Sequence, residues 1–148
     1  MGLEKDVMEK MKLAMKAKDS VALASLRSIK SEILKLKTSG SGKEMTEADE
    51  LKLVQKLIKQ RKDSAQLYKE QNREDLAKEE LDQVVILEDF LPQQLSEDEI
   101  KSEIKIIIGQ VGASSMKDMG KVMGLASKKM AGKAEGAVIS KIVKAELS

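Results

Sequence analysis

The chain has 148 residues, with 27 Lys+Arg against 25 Asp+Glu, 41% apolar residues, and Tyr68 and Phe90 as its only aromatics. That is the size of one domain or two small ones, with enough apolar mass for a core. No Cys and no His occur, which excludes disulfides, Cys/His metal centres, thiolate nucleophiles and every imidazole-based triad. The longest apolar runs, Val21–Ala24 and Val84–Leu87, have four residues; a membrane span needs about 20 and a signal-peptide core about 7–15. The expectation is a cytoplasmic protein without membrane association.

Leu3, Val7, Met11, Ala14 and Met15 recur at helical spacing and predict a first helix over residues 3–18. Asp19 or Ser20 stops it and caps a second over 21–37, with Leu26, Ile29, Ile33 and Leu36 as its stripe. Residues 38–42, Thr-Ser-Gly-Ser-Gly, read as a loop. Thr46 with Asp49 three on opens a third helix through a capping-box variant. Val54, Leu57, Ile58, Ala65 and Tyr68 carry its apolar face, and Asn72 is a left-handed stop. A fourth helix carries Leu76, Leu81, Val84, Val85, Leu87 and Phe90 and ends at Pro92.

Ser96 with Glu99 is a full capping box for a fifth helix bearing Ile100, Ile104, Ile107 and Ile108, which Gly109 and Gly112 end. Ser115 with Asp118 starts a sixth, whose stripe is Met116, Met119, Met123 and Met130. Gly132 and Gly136 flank a turn, and a seventh packs Val138, Ile139, Ile142, Val143 and Leu147. No run with strand period is bounded by turn signals on both sides. The chain therefore reads as all-α: a four-helix domain over 1–92, a linker around 91–95, and a three-helix domain over 96–148.

Catalytic signatures fail on inspection. Ser102 with Lys105 and Ser114 with Lys117 match Ser-x-x-Lys, but the companion motifs of such hydrolases are missing. Gly120-Lys121 lacks the earlier Gly and the following Ser/Thr of a phosphate loop, since Ser115 and Val122 stand there. Neighbouring carboxylates such as Glu79-Glu80 and Glu97-Asp98-Glu99 do not share a helix face and show no metal-site spacing. The chain is accordingly read as non-catalytic on its own, with no catalytic residue, no metal and no cofactor.

Charge is asymmetric only towards the end. Lys117, Lys121, Lys128, Lys129, Lys133, Lys141 and Lys144 face only Asp118 and Glu135 within the same stretch. Lys117, Lys121 and Lys128 are expected on one helix face, where they would attract phosphates or stand as a solvated surface. Gly120 and Gly124 share a face of the sixth helix at about 1 kcal/mol each against Ala. Close approach of another backbone would explain them, a neighbouring helix being favoured over a phosphate. Without aromatics, base stacking is a poor option, so a nucleic-acid partner would be a folded RNA read by shape and not a single strand. No DNA partner is expected. The Met-bearing helix could alternatively dock a protein, which makes an interaction adaptor the competing reading.

Several short motifs occur together in order: Leu26-Arg27, Gln60-Arg61-Lys62-Asp63-Ser64 with Tyr68, Asn72-Arg73, Asp75-Leu76-Ala77 and a glutamate at 79 or 80, then Leu91-Pro92, Gly120-Lys121-Val122-Met123, and Gly132 to Gly136. In these the chain resembles the GatB/YqeY family over nearly its whole length, closest to the stand-alone YqeY-like proteins, with Glu135 where that family often has Asp. The resemblance implies an N-terminal four-helix and a C-terminal three-helix domain. It also implies kinship to the C-terminal tail of the B subunit of glutamyl/aspartyl-tRNA amidotransferase, a tail that contacts tRNA. By that resemblance the partners would be tRNA and a tRNA-processing or amidotransferase protein. The family-level label would be amidotransferase-like, a carbon–nitrogen ligase with glutamine as amido-N-donor. Arg27, Gln60, Arg61, Ser64, Tyr68 and Arg73 are then family-motif residues without an assigned role.

Overall fold

The computed structural model describes residues 2–39 and 44–148. The loop expected at 38–42 is described only at Thr38 and Ser39; Gly40, Ser41 and Gly42 lie outside the described residues. Among the described residues the fold is all-α, with no strand. The helices are α1 (Gly2–Ala17), α2 (Ser20–Lys37), α3 (Glu47–Glu70), α4 (Glu74–Glu88), α5 (Glu97–Val111), α6 (Met119–Lys129) and α7 (Gly136–Leu147), with a 3-10 turn at Met116–Asp118 before α6. The chain forms two compact units, Met1–Leu91 and Pro92–Ser148.

The first unit packs α1 to α4 around Leu3, Val7, Leu26, Ile29, Ile33, Leu53, Val54, Leu57, Ile58, Val84 and Leu87. Burying one such side chain contributes about 1.5–3 kcal/mol. Short-range chemistry sets the helix ends. The Asp19 carboxylate accepts from Ala22 N at 3.0 Å and starts α2. Thr46 and Asp49 exchange reciprocal bonds of 3.2 and 3.0 Å at the start of α3. Asn72 adopts φ +59°, and Arg73 N reaches back to Tyr68 O at 2.8 Å. One cap is long-range: Leu3 N at the start of α1 donates to Glu50 Oε2 of α3 at 2.9 Å.

Some expected core positions lie outside. Met15, Leu36 and Val85 are exposed, each one residue, or about 100° of helix turn, past the centre of a narrow buried stripe or at a helix end. Tyr68 and Phe90 are half-buried. Phe90 falls after the end of α4 at Glu88, so it is not part of the helical stripe; its ring carries the Lys10 ammonium at 4.4 Å from the centroid.

The second unit closes α5, α6 and α7 on Ile100, Ile104, Ile107, Val122, Ala126, Met130, Ile139, Val143 and Leu147. Ser96 Oγ accepts from Glu99 N at 3.2 Å, and the Glu99 carboxylate accepts from Ser96 N at 3.1 Å. The Ser96 backbone N–H, which donates to the Glu99 carboxylate, and then the Ser96 hydroxyl hold that carboxyl below the usual glutamate range. Gly109 does not end α5 but lies within it; Gly112 ends it, at φ +66°. The buried face continues past Gly109 to the partly buried Val111, which outweighs the modest helix cost of one glycine. Gly132 is the second left-handed glycine, at φ +74°. Gln94 Nε2 donates to Gly132 O at 2.6 Å and Leu95 N to Lys133 O at 2.9 Å. These bonds tie the segment before α5 to the turn after α6.

The expected methionine stripe is mostly peripheral. Met116 is exposed, Met119 and Met123 are half-buried, and only Met130 is fully buried. Val122 and Ala126 occupy the inner face of α6 instead. Helix α6 starts one turn after the expected Ser115 start: Ser115 caps the 3-10 turn, and the helix proper begins at Met119.

Candidate nucleic-acid interface

Helix α6 buries Val122 and Ala126, so the opposite side presents Gly120, Lys121, Gly124, Leu125 and Lys128. Lys121 and Lys128 are two turns apart, about 10 Å along the axis, and point the same way. A Cβ built on Gly120 or Gly124 would meet nothing within 4 Å. The expectation that a neighbouring helix crowds these glycines is therefore corrected: α5 and α7 pack on the other side, against Val122, Ala126 and Met130. What remains is an open strip of bare backbone at Gly120 and Gly124, bordered along one side by Lys121 and Lys128, with Leu125 exposed beside them.

The seven candidate lysines separate into distinct settings. Lys121 and Lys128 are exposed and enter no ion pair among the described residues. Lys117 stands on the 3-10 turn ahead of α6 and not on the helix itself, its N–H donating to Ser115 Oγ at 3.4 Å. The Asp118 carboxylate beside it accepts from Ser114 N at 3.0 Å and so serves the turn. Lys129 is turned away from the strip and pairs with Glu103 of α5 at 2.5 Å. Lys133 extends from the turn after α6, while Lys141 and Lys144 lie on the exposed side of α7 opposite Ile139 and Val143. Geometry thus brings Lys121 and Lys128 together with Gly120 and Gly124, and removes Lys129 from the group.

The sequence profile of the family described as Yqey-like protein matches residues 4–147. The chain belongs to this YqeY-like family. It is 32% identical over 115 residues to altered inheritance of mitochondria protein 41, mitochondrial, of Lachancea thermotolerans, covering 76% of this chain and 59% of that protein. The protein of the same name from Clavispora lusitaniae is 31% identical over 106 residues, covering 70% of this chain and 61% of the relative. The YqeY-like chain thus spans about three fifths of the length of these curated relatives.

The remaining YqeY-like motif residues lie in the first unit. Arg61 joins three helices: Nη1 lies 3.3 Å from Glu80 Oε2 of α4, and Nη2 donates to Ser28 Oγ of α2 at 3.0 Å. This is a structural tie, and it explains an arginine among the lysines of α3, since a planar fork reaches two partners at once. Arg73 forms a bidentate pair with Asp75, at 3.1 and 3.0 Å. Hydrogen bonding within that pair raises the Arg73 pKa and lowers that of Asp75. Arg27 and Gln60 are exposed, and Ser64 is half-buried with Tyr68 one turn on. Two ties carry no signal in the sequence, Leu3 N to Glu50 and Arg61 to Ser28 and Glu80. Their partners lie 47, 33 and 19 residues apart, beyond any periodic pattern. Among the described residues no helix is long and apolar enough to cross a membrane.

Proposed function

We propose that this YqeY-like chain is a non-catalytic accessory protein that binds folded RNA, tRNA in the first instance, through the open face of α6. The supporting observation is Lys121 and Lys128, exposed and without an ion pair among the described residues, standing together along one side of an α6 face on which a Cβ at Gly120 or Gly124 would meet nothing within 4 Å. Bare backbone lets a sugar–phosphate chain come close, and the lysines supply sequence-independent attraction. Leu125 is the only apolar side chain of the strip, and there is no aromatic on which a base could stack. A folded RNA recognised by shape fits better than an unstructured strand. The choice of tRNA rests on the resemblance to the amidotransferase tail, and the place of action in this reading is the cytoplasm. The relatives' names make the mitochondrion the alternative, which imaging of the tagged chain in its own cells distinguishes.

The test is filter binding of a folded tRNA across a salt series. Lys117→Glu, Lys121→Glu and Lys128→Glu together should weaken binding, each lost phosphate contact lowering the log–log salt slope by roughly 0.7–0.9. Reversal of Lys52, Lys56 and Lys59 in α3 should leave binding intact. Equal binding by both triple variants would sink the RNA reading and favour an adaptor that docks a protein.

A further inference from the structure

The first unit carries recesses along α1 whose chemistry is opposite in sign to that of the α6 lysines. One is a cavity of about 400 Å³ between the starts of α1 and α3 and the residues after α4. Leu3, Leu51, Val54 and Phe90 give it apolar walls, and among the described residues four carboxylates, Asp6, Glu47, Glu50 and Asp89, and the Lys10 ammonium stand around them. The Glu50 carboxylate is engaged by Leu3 N, whereas the carboxylates of Asp6, Glu47 and Asp89 make no hydrogen bond or ion pair among the described residues. The Phe90 ring already holds an ammonium on its face, that of Lys10.

The other is an apolar recess of about 270 Å³ lined by Leu13, Ala17, Ala22 and Ile86. Lys10 and Asp89 line both cavities, so the two adjoin one another along α1. Leu13 is 66% exposed beside the apolar recess, an apolar side chain left largely open among the described residues. This groove of adjoining recesses follows α1, a helix of 16 residues and about 24 Å.

We propose that this groove docks a basic amphipathic helix of a partner protein. The partner's apolar stripe lies against Leu13, Ala17 and Ile86, and a Lys or Arg at one end enters the carboxylate-ringed cavity beside Phe90. Helix-in-groove recognition needs a recess for apolar anchors and a charge at a defined end to set direction, and both are here. Phosphate-bearing partners are disfavoured because four carboxylates would repel them. Among the described residues no carboxylate group is arranged to hold a metal ion. The site is independent of the α6 strip.

The experiment uses the full chain, isotope-labelled for NMR, titrated with synthetic 14-residue peptides. One has Leu on a single helical face and Lys elsewhere; the second has Glu for Lys; the third has the composition of the first with its leucines scattered around the helix. The first should shift the signals of Leu13, Ile86, Asp89 and Phe90. Leu13→Ser should weaken it about tenfold, and so should Asp6→Asn, Glu47→Gln and Asp89→Asn combined, the loss expected of one well-buried anchor or cation. Leu13→Ser should leave the melt and tRNA binding unchanged. The proposal is overturned if the Glu peptide or the scattered peptide binds as tightly, if the shifts centre elsewhere, or if no peptide binds. A concentration-dependent dimer abolished by Leu13→Ser would also overturn it, assigning the groove to a second copy of the chain.

Discussion

Replacing Gly120 and Gly124 by Ala separates what these residues do for folding from what they do for a ligand. Both positions lie in α6 with no atom within 4 Å of the added methyl. The change therefore introduces no clash and removes only the backbone entropy of glycine. At Gly124, inside the helix, the gain is about 1 kcal/mol; at Gly120, in the first turn, about half of that. Together about 1.5 kcal/mol should slow amide exchange of Val122 and Ala126 roughly tenfold, since each 1.4 kcal/mol is a factor of ten. Exchange is the readout of choice because it reports on the second unit by itself. Retention of tRNA should move the opposite way: with every lysine intact, two methyls now hold a sugar–phosphate backbone off the strip, and binding should weaken. A loss of stability in the double variant would show that something does pack on this face and refute the geometry. A gain of stability with undiminished tRNA binding would refute the assignment of the glycines to the ligand.

Arg61→Met should destabilise the first unit by about 1–3 kcal/mol by leaving Glu80, whose side chain is 15% exposed, without its cation; an unfolding free energy in urea equal to that of the parent chain would deny Arg61 its tie to α2 and α4. Gly112→Ala should cost about 1 kcal/mol, because a Cβ is strained at φ +66° even with open space around it; thermal melts decide, and no change would mean the α5 end relaxes freely. The Glu99 carboxyl, held low by its bonds to Ser96, contributes stability that is present above the unfolded glutamate pKa and lost as pH falls through the lowered folded value. Carboxyl NMR should accordingly show it titrating at more acid pH than an ordinary glutamate, and Glu99→Gln should reduce the acid sensitivity of α5 while keeping the capping bond. An unshifted midpoint would show the box open in solution.

Features set by groups within about four residues of one another could be read directly along the chain. The Thr46–Asp49 and Ser96–Glu99 capping boxes and the left-handed Asn72 and Gly112 all depend on short-range geometry, and they appear where the residue order puts them. The helical period was equally legible: Leu26, Ile29 and Ile33, or Ile139, Val143 and Leu147, can be buried together only on one face of a helix. Periodicity does not tell how wide each buried stripe is, so Met15, Leu36, Val85 and the outer methionines fit the apolar period and yet stand at the surface or its edge. Nor could it reveal partners distant in sequence. The seven lysines look alike along the chain, yet packing of α5 against α6 turns Lys129 onto Glu103 and leaves Lys121 and Lys128 outside. Gly120 and Gly124 share a face by spacing alone, but only the positions of α5 and α7 decide that this face is the open one. Glu50 caps α1 from α3, and Arg61 bridges to α2 and α4, because tertiary packing brings those backbones side by side. Local bonds and period depend on covalent spacing; exposure and pairing depend on which surfaces meet, and that is settled only when the apolar faces close on one another.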